Sequence, residues 1–155
     1  MSFALTGQNP ATSLSVTPGL SKTPNAAPSS IQQNNLLNRV EARDQSGRLQ
    51  FYQQRNEVLN RKELFDSSGR LQGYTQNNNV LNQKEVYDNK GQRQQVIREN
   101  NLLNRTEVYD NRGRLQETRR YNELLNQYEV FDAQGNRTGT YQYNPILNRW
   151  DYRQK

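Results

Sequence analysis

The groups in this chain with capacity for chemistry are carboxylates at a fixed spacing: Glu107 and Asp110, and their equivalents Glu41 and Asp44, Glu63 and Asp66, Glu85 and Asp88, Glu129 and Asp132. Two carboxylates held close together are a common acid–base device, because one can keep a proton that the other has lost. An extended chain turns successive side chains to opposite faces, so residues three apart do not converge. A pair repeated in near-identical copies also lacks the singular pocket that holds a reacting group. No catalytic residue is assigned. The oxygen-rich pairs Asp88-Asn89 and Asp110-Asn111 offer calcium ligands, but Asp44-Gln45-Ser46 and Asp132-Ala133-Gln134 are poor in carboxylates and no acid completes a shell, so no metal site is assigned either. With no Cys and no His, the chain has no disulfide, no thiolate or imidazole ligand for zinc, and no triad built on imidazole. No cofactor is expected, and the chain reads as non-enzymatic.

Cations form the second chemical feature. Lys and Arg number 21 against 15 Asp and Glu, for a formal charge of +6. Arg119-Arg120-Tyr121 and the segment Arg149-Trp150-Asp151-Tyr152-Arg153 interleave cations with rings that can stack on bases, the composition of a polyanion-binding face with Arg119, Arg120 and Arg149 as its contacts. Against this, acids are interspersed along the same stretches, and no established nucleic-acid motif is present.

What must position these groups is a repeat. From Asn34 onward the period is 22, marked by Leu37, Leu59, Leu81, Leu103, Leu125 and Leu147, each followed by Asn and each preceded three residues earlier by Asn. An aliphatic residue stands immediately before each Leu. The same period carries Asp44, Asp66, Asp88, Asp110 and Asp132, then Gly47, Gly69, Gly91, Gly113 and Gly135, giving five full copies and a truncated sixth. Asp-x-x-Gly suits a type I turn followed by a left-handed glycine in a G1 bulge, which is a hairpin signal. Runs such as Glu107-Val108-Tyr109 before it and Arg114-Leu115-Gln116 after it have the composition of strands. Asn-x-aliphatic-Leu marks a second turn, where Asn144-Pro145-Ile146-Leu147 puts Pro at its natural second position.

Each copy is therefore two strands and two turns. The bulge register sets Phe65 opposite Leu71, Tyr109 opposite Leu115, Tyr87 opposite Arg93 and Phe131 opposite Arg137. Alternation puts the recurrent Glu and the aromatic on one face. It assigns the aliphatics Leu64, Val86, Val108 and Val130, the Asp, and Tyr52 or Tyr74 to the other. Neither face is purely apolar, and hydrophobic residues are only 31% with a mean hydropathy of −1.20. The expected fold is all-β: an elongated, single-layer antiparallel meander of tandem hairpins, with the aliphatic-Leu turns forming an apolar seam along one margin. A β-solenoid with one copy per coil is the competing architecture; it would stack Glu on Glu and Arg on Arg.

Copies such as Tyr109-Asp110-Asn111-Arg112-Gly113-Arg114-Leu115 resemble the Tyr-Asp-x-x-Gly-Arg core of YD-type repeats, and the layout of two strands per unit is similar to MORN-type repeats, over residues 34–155. The multiple glycines of MORN units are missing here. The resemblance implies a hairpin scaffold used for protein contacts or shell-building, with no activity of its own.

Residues 1–30 are a different polymer, with Pro10, Pro18, Pro24 and Pro28, many Ser, Thr and Ala, and one charge at Lys22. They read as a flexible tail and tether in which Phe3, Leu5 and Leu14 are candidate partner anchors; residues 31–155 form the array. The start lacks the basic and apolar regions of a secretory signal, and no run is long enough for a membrane helix, so a cytoplasmic protein without membrane insertion is expected. The last strand, 149–155, reads as an uncovered edge open to self-association, with Trp150, Tyr152 and Arg153 as candidate contacts. The functional expectation is a structural scaffold, linker or protein-interaction module of a larger assembly. Nucleic-acid or polyanion binding is the alternative.

Overall fold

The computed structural model describes residues 29–155. Twelve strands follow one another: β1 (Ser30–Asn34), β2 (Arg39–Arg43), β3 (Leu49–Asn56), β4 (Arg61–Asp66), β5 (Leu71–Asn78), β6 (Gln83–Asp88), β7 (Arg93–Asn100), β8 (Arg105–Asp110), β9 (Leu115–Asn122), β10 (Gln127–Asp132), β11 (Arg137–Asn144) and β12 (Arg149–Gln154). Each is antiparallel to the next, as the tandem-hairpin reading requires. The candidate anchors Phe3, Leu5 and Leu14 lie outside the described residues.

The two turns work as their residues dictate. In the Asp-x-x-Gly turn the Asp110 carboxylate accepts the N–H groups of Arg112 and Arg114, both at 2.9 Å, and Gly113 takes φ +79°. The same pattern recurs at Asp44, Asp66, Asp88 and Asp132. In the second turn the first Asn accepts the N–H of the Leu three residues on, as Asn100 does from Leu103 at 3.0 Å. The Asn after each Leu sits in the left-handed region, φ 47° to 49° across the six copies, a conformation that Asn tolerates better than most L-residues. That is the physical reason for the recurrent Leu-Asn.

The expected pairs Phe65 with Leu71, Tyr87 with Arg93, Tyr109 with Leu115 and Phe131 with Arg137 all form. One side assignment is corrected. Tyr52 pairs with Phe65 and stacks on it at 5.1 Å, and Tyr74 stacks on Tyr87 at 4.9 Å, so both tyrosines lie on the face of the Glu residues. The cause is the bulge, where Leu64 and Phe65 face Gly73 and Leu71 and the extra residue changes the parity of the return strand.

The larger correction concerns shape. The sheet is not an open meander but a closed barrel in which β1 pairs with β12 through Ser30 with Asp151, Ile31 with Trp150 and Gln32 with Arg149. Ser29 adds a carbonyl that accepts the Tyr152 N–H at 2.8 Å. The strand expected to be an uncovered edge is thus covered, and edge-strand self-association loses its template. Strand twist accumulates around the sheet, and an even number of antiparallel strands brings first and last together in the orientation that pairs. The truncated sixth copy and β1 each supply what the other lacks.

Closure explains how so polar a chain holds a core. Leu64, Ile97 and Val108 are 2% to 3% exposed and Val86 is fully buried, with Phe51 against them. Such burial within one sheet is reached on the concave side of a barrel. A second cluster joins Ile31, Val130 and Tyr141 to Val40, Tyr128, Trp150 and Tyr152. The outward face carries the Glu residues with Arg and Tyr, not the apolar band of a lipid-facing barrel.

Candidate functional site: one rim and the lumen mouth behind it

Because every second connection is of the same type, all Asp-x-x-Gly turns gather at one rim and all Asn-x-aliphatic-Leu-Asn turns at the other. At the latter rim Leu36, Val58, Val80, Leu102, Leu124 and Ile146 are each 91% to 97% exposed, and each following Leu is about half exposed. The expected seam is a closed crown. Scattered surface apolar residues need no account, but six copies of an apolar pair on one ring form a patch of the kind that marks a contact.

The crown has a charged setting. Counting each Asn-to-Asn turn with two flanking residues on either side gives nine cations (Arg39, Arg55, Arg61, Lys62, Lys84, Arg98, Arg105, Arg120 and Arg149) and three acids (Glu57, Glu99 and Glu123).

On the outward face the recurrent Glu is a buried knot. Glu107 accepts hydrogen bonds from Tyr109 at 2.7 Å, Arg105 at 2.8 Å and Asn100 at 3.0 Å. The Tyr109 hydroxyl bond is the main cause holding its carboxyl below the usual range, against the opposing effect of burial. Glu85 is built the same way from Tyr87, Gln83 and Asn78, and that bond pushes the Tyr87 hydroxyl up to about 12. At Glu41 burial acts upward but Arg43, Arg39 and Asn34 outweigh it. These carboxylates are consumed by structure. The Asp of each turn is likewise spent on backbone amides.

The sequence-nominated cations are not brought together. Arg119 is 3% exposed in the lumen and bonds Glu117, whereas Arg120 is outside on Glu129 at 3.3 Å and Arg149 is held by Asp151 at 2.7 Å. Trp150 turns inward, its ring 5.3 Å from Tyr143 and 5.5 Å from Tyr128, and Tyr152 lies 4.6 Å from Tyr141. Arg153 remains exposed, opposite Thr140.

Sequence reasoning missed a different set. Arg55 and Lys62 are direct cross-strand partners on the lumenal face, and Lys84 faces the same mouth two strands on. With Gln53, Thr75 and Asn77 they line a cavity of about 260 Å³. The wall around the mouth, then Lys84 and Arg55, hold the Lys62 ammonium below its ordinary range, even though solvent reaches it through the opening. The alternation of the strands placed these cations inward, but only closure turns that side into a lumen.

Compared with known proteins, the chain matches no family model, no curated protein and no solved structure. The likeness to YD-type and MORN-type units therefore rests on motif and layout. Among the described residues no helix is long and apolar enough to cross a membrane.

Proposed function

We propose that this chain is a non-enzymatic interaction module of a larger assembly, and that its contact surface is the apolar crown, docking a partner protein with an apolar surface edged by acids. The observation that carries this reading is the ring of six aliphatic side chains, each more than nine-tenths exposed, at a single rim. Six of the nine cations around that rim are held in ion pairs, but Lys62, Lys84 and Arg98 are in none among the described residues, and this excess of positive charge disfavours a second copy of the same crown and favours an acidic partner. Glu57 and Glu123 stand beside Val58 and Leu124 at the tips, and the Glu57 side chain is 76% exposed. Immersing such carboxylates in a bilayer is costly, whereas interleaved apolar and polar groups suit a protein interface. Each turn backbone is held by an Asn hydrogen bond such as Asn100 to Leu103 and by a left-handed Asn, which lowers the ordering cost of docking.

The chain has no cysteine, so Leu102→Cys gives a unique site for a photo-crosslinker on the crown. The expected result is one discrete adduct in the native source, lost when Val58, Leu124 and Ile146 are changed to Ser with the melting temperature unchanged. A triple variant that keeps the adduct would overturn the reading. Equal loss of binding to protein-free vesicles would transfer the crown to lipid, and concentration-dependent dimers would transfer it to a second copy.

A further inference from the structure

Behind the crown, the wall formed by β3 to β6 assembles positive charge at a cost. Arg55 and Lys62 stand directly opposite each other in the ladder, where like charges repel. Arg55 is partly engaged, giving hydrogen bonds to Glu57 at 2.9 Å and Asn60 at 2.8 Å. Neither Lys62 nor Lys84 has an ion-pair partner among the described residues. Glu99, which lines an adjoining cavity of about 180 Å³ with Lys84, accepts instead the Thr106 hydroxyl at 2.9 Å.

The floor of the cavity is as unsatisfied as its mouth. Gln53 is 5% exposed and Thr75 is 7% exposed, and both the Gln53 Nε2 and the Thr75 Oγ1 are buried with no hydrogen-bond partner. Buried polar groups are almost always paired, and leaving two orphaned beside uncompensated cations costs stability twice over. Gln95 Oε1 and Trp150 Nε1 are buried without a partner as well, and both belong to the lumenal face, whereas the outward Glu knots are satisfied. A fold that satisfies its polar groups on one face and leaves them open around a cavity on the other has the form of a site built for a ligand.

We propose that the lumen mouth lined by Gln53, Arg55, Lys62, Thr75 and Lys84 binds a small oxyanion of the phosphate type, free phosphate or the phosphate group of a small molecule. Two ammonium groups and a guanidinium compensate more than one negative charge, and the amide of Gln53 and the hydroxyl of Thr75 supply donors on the inner side. At about 260 Å³ the cavity lies below the roughly 300–1,000 Å³ of sites for drug-sized ligands, so it takes an anionic group and little more. A cavity of about 260 Å³ has no room for a nucleic-acid strand, which separates this site from a polyanion-binding face. Arg55, Lys62 and Lys84 are also among the nine cations near the crown, so phosphate binding is read on the chain without its partner.

The test uses the full chain without partners. Inorganic phosphate is titrated at constant ionic strength, with chloride as the control anion, and followed by calorimetry and thermal melts. Saturable binding that raises the melting temperature is expected. Lys62→Met with Lys84→Met should weaken it by about tenfold or more, as loss of charge-assisted bonds implies. The same pair should leave the phosphate-free melting temperature unchanged or higher, because like charges are removed. Lys90→Met, in a turn at the opposite rim, should change nothing. Should the double variant fail to fold, Thr75→Val with Lys84→Gln gives the same reading. Non-saturable binding, binding unaffected by the lumenal variants, or binding only to vesicles containing phosphatidic acid would each overturn the proposal.

Discussion

At the scale of the residue, the recurrent Glu shows how a carboxylate can be nearly buried on the outside of a barrel. Its oxygens are divided among an Asn from the preceding turn, an Arg or Gln two residues before, and a Tyr or Arg two residues after. Hydrogen bonds to the charged form favour it, so the folded carboxyls of Glu41, Glu85 and Glu107 lie below the ordinary value of 4.5. A depressed carboxylate contributes stability that is present above its unfolded value and lost as pH falls through its folded one. The turn aspartates shift in the same direction, so stability should decline progressively below about pH 4.5. Tyr87 works in the opposite sense. Raised from 10.0 to about 12, it contributes stability that is complete below pH 10.0 and lost as pH rises toward about 12. Urea midpoints across pH should trace this plateau, and Glu107→Gln should flatten its acid limb. A midpoint constant from pH 7 to pH 3 would contradict the assignment.

At the scale of the element, each copy is controlled by two left-handed residues, one Gly and one Asn. Gly113 at φ +79° has open space where a Cβ would sit, so replacing it tests conformation and not crowding. Gly113→Val should cost on the order of 1–3 kcal/mol by thermal or chemical denaturation. Asn104→Val should be costly for the same reason, while Asn104→Gly is tolerated, since Gly visits φ near 48° freely. Equal stability of the Val variants and the parent would mean that these residues do not set the turns. The registers across these turns were readable in the sequence because turn chemistry is local. The faces of Tyr52 and Tyr74 were not, because they depend on which residue the bulge leaves unpaired.

At the scale of the whole molecule, stability depends on one seam. β1 contributes only five residues, yet it gives both β2 and β12 a partner. Deleting residues 1–34 should open the barrel, expose the edges of β2 and β12 and the lumenal aliphatics, and produce a lower melting temperature with association visible by light scattering. Deleting 1–28 should leave the described fold in place. If the shorter chain stays monomeric with an unchanged melt, the seam is not what holds the molecule.

The sequence by itself determined the 22-residue period, the two turns, the antiparallel hairpins, and the exhaustion of Asp110 and Gly113 by turn chemistry, because each depends on residues within a few positions of one another. The tertiary structure alone decided closure, and with it three consequences. Leu64, Val86 and Val108 became a core instead of one side of a wet sheet, the apolar margin became a crown, and Arg55, Lys62 and Lys84 came to share a lumen with unpaired Gln53 and Thr75. The physical reason is that closure follows from the sum of small twists over twelve strands and the meeting of Ile31 with Trp150 across the whole array, a contact that no local pattern encodes.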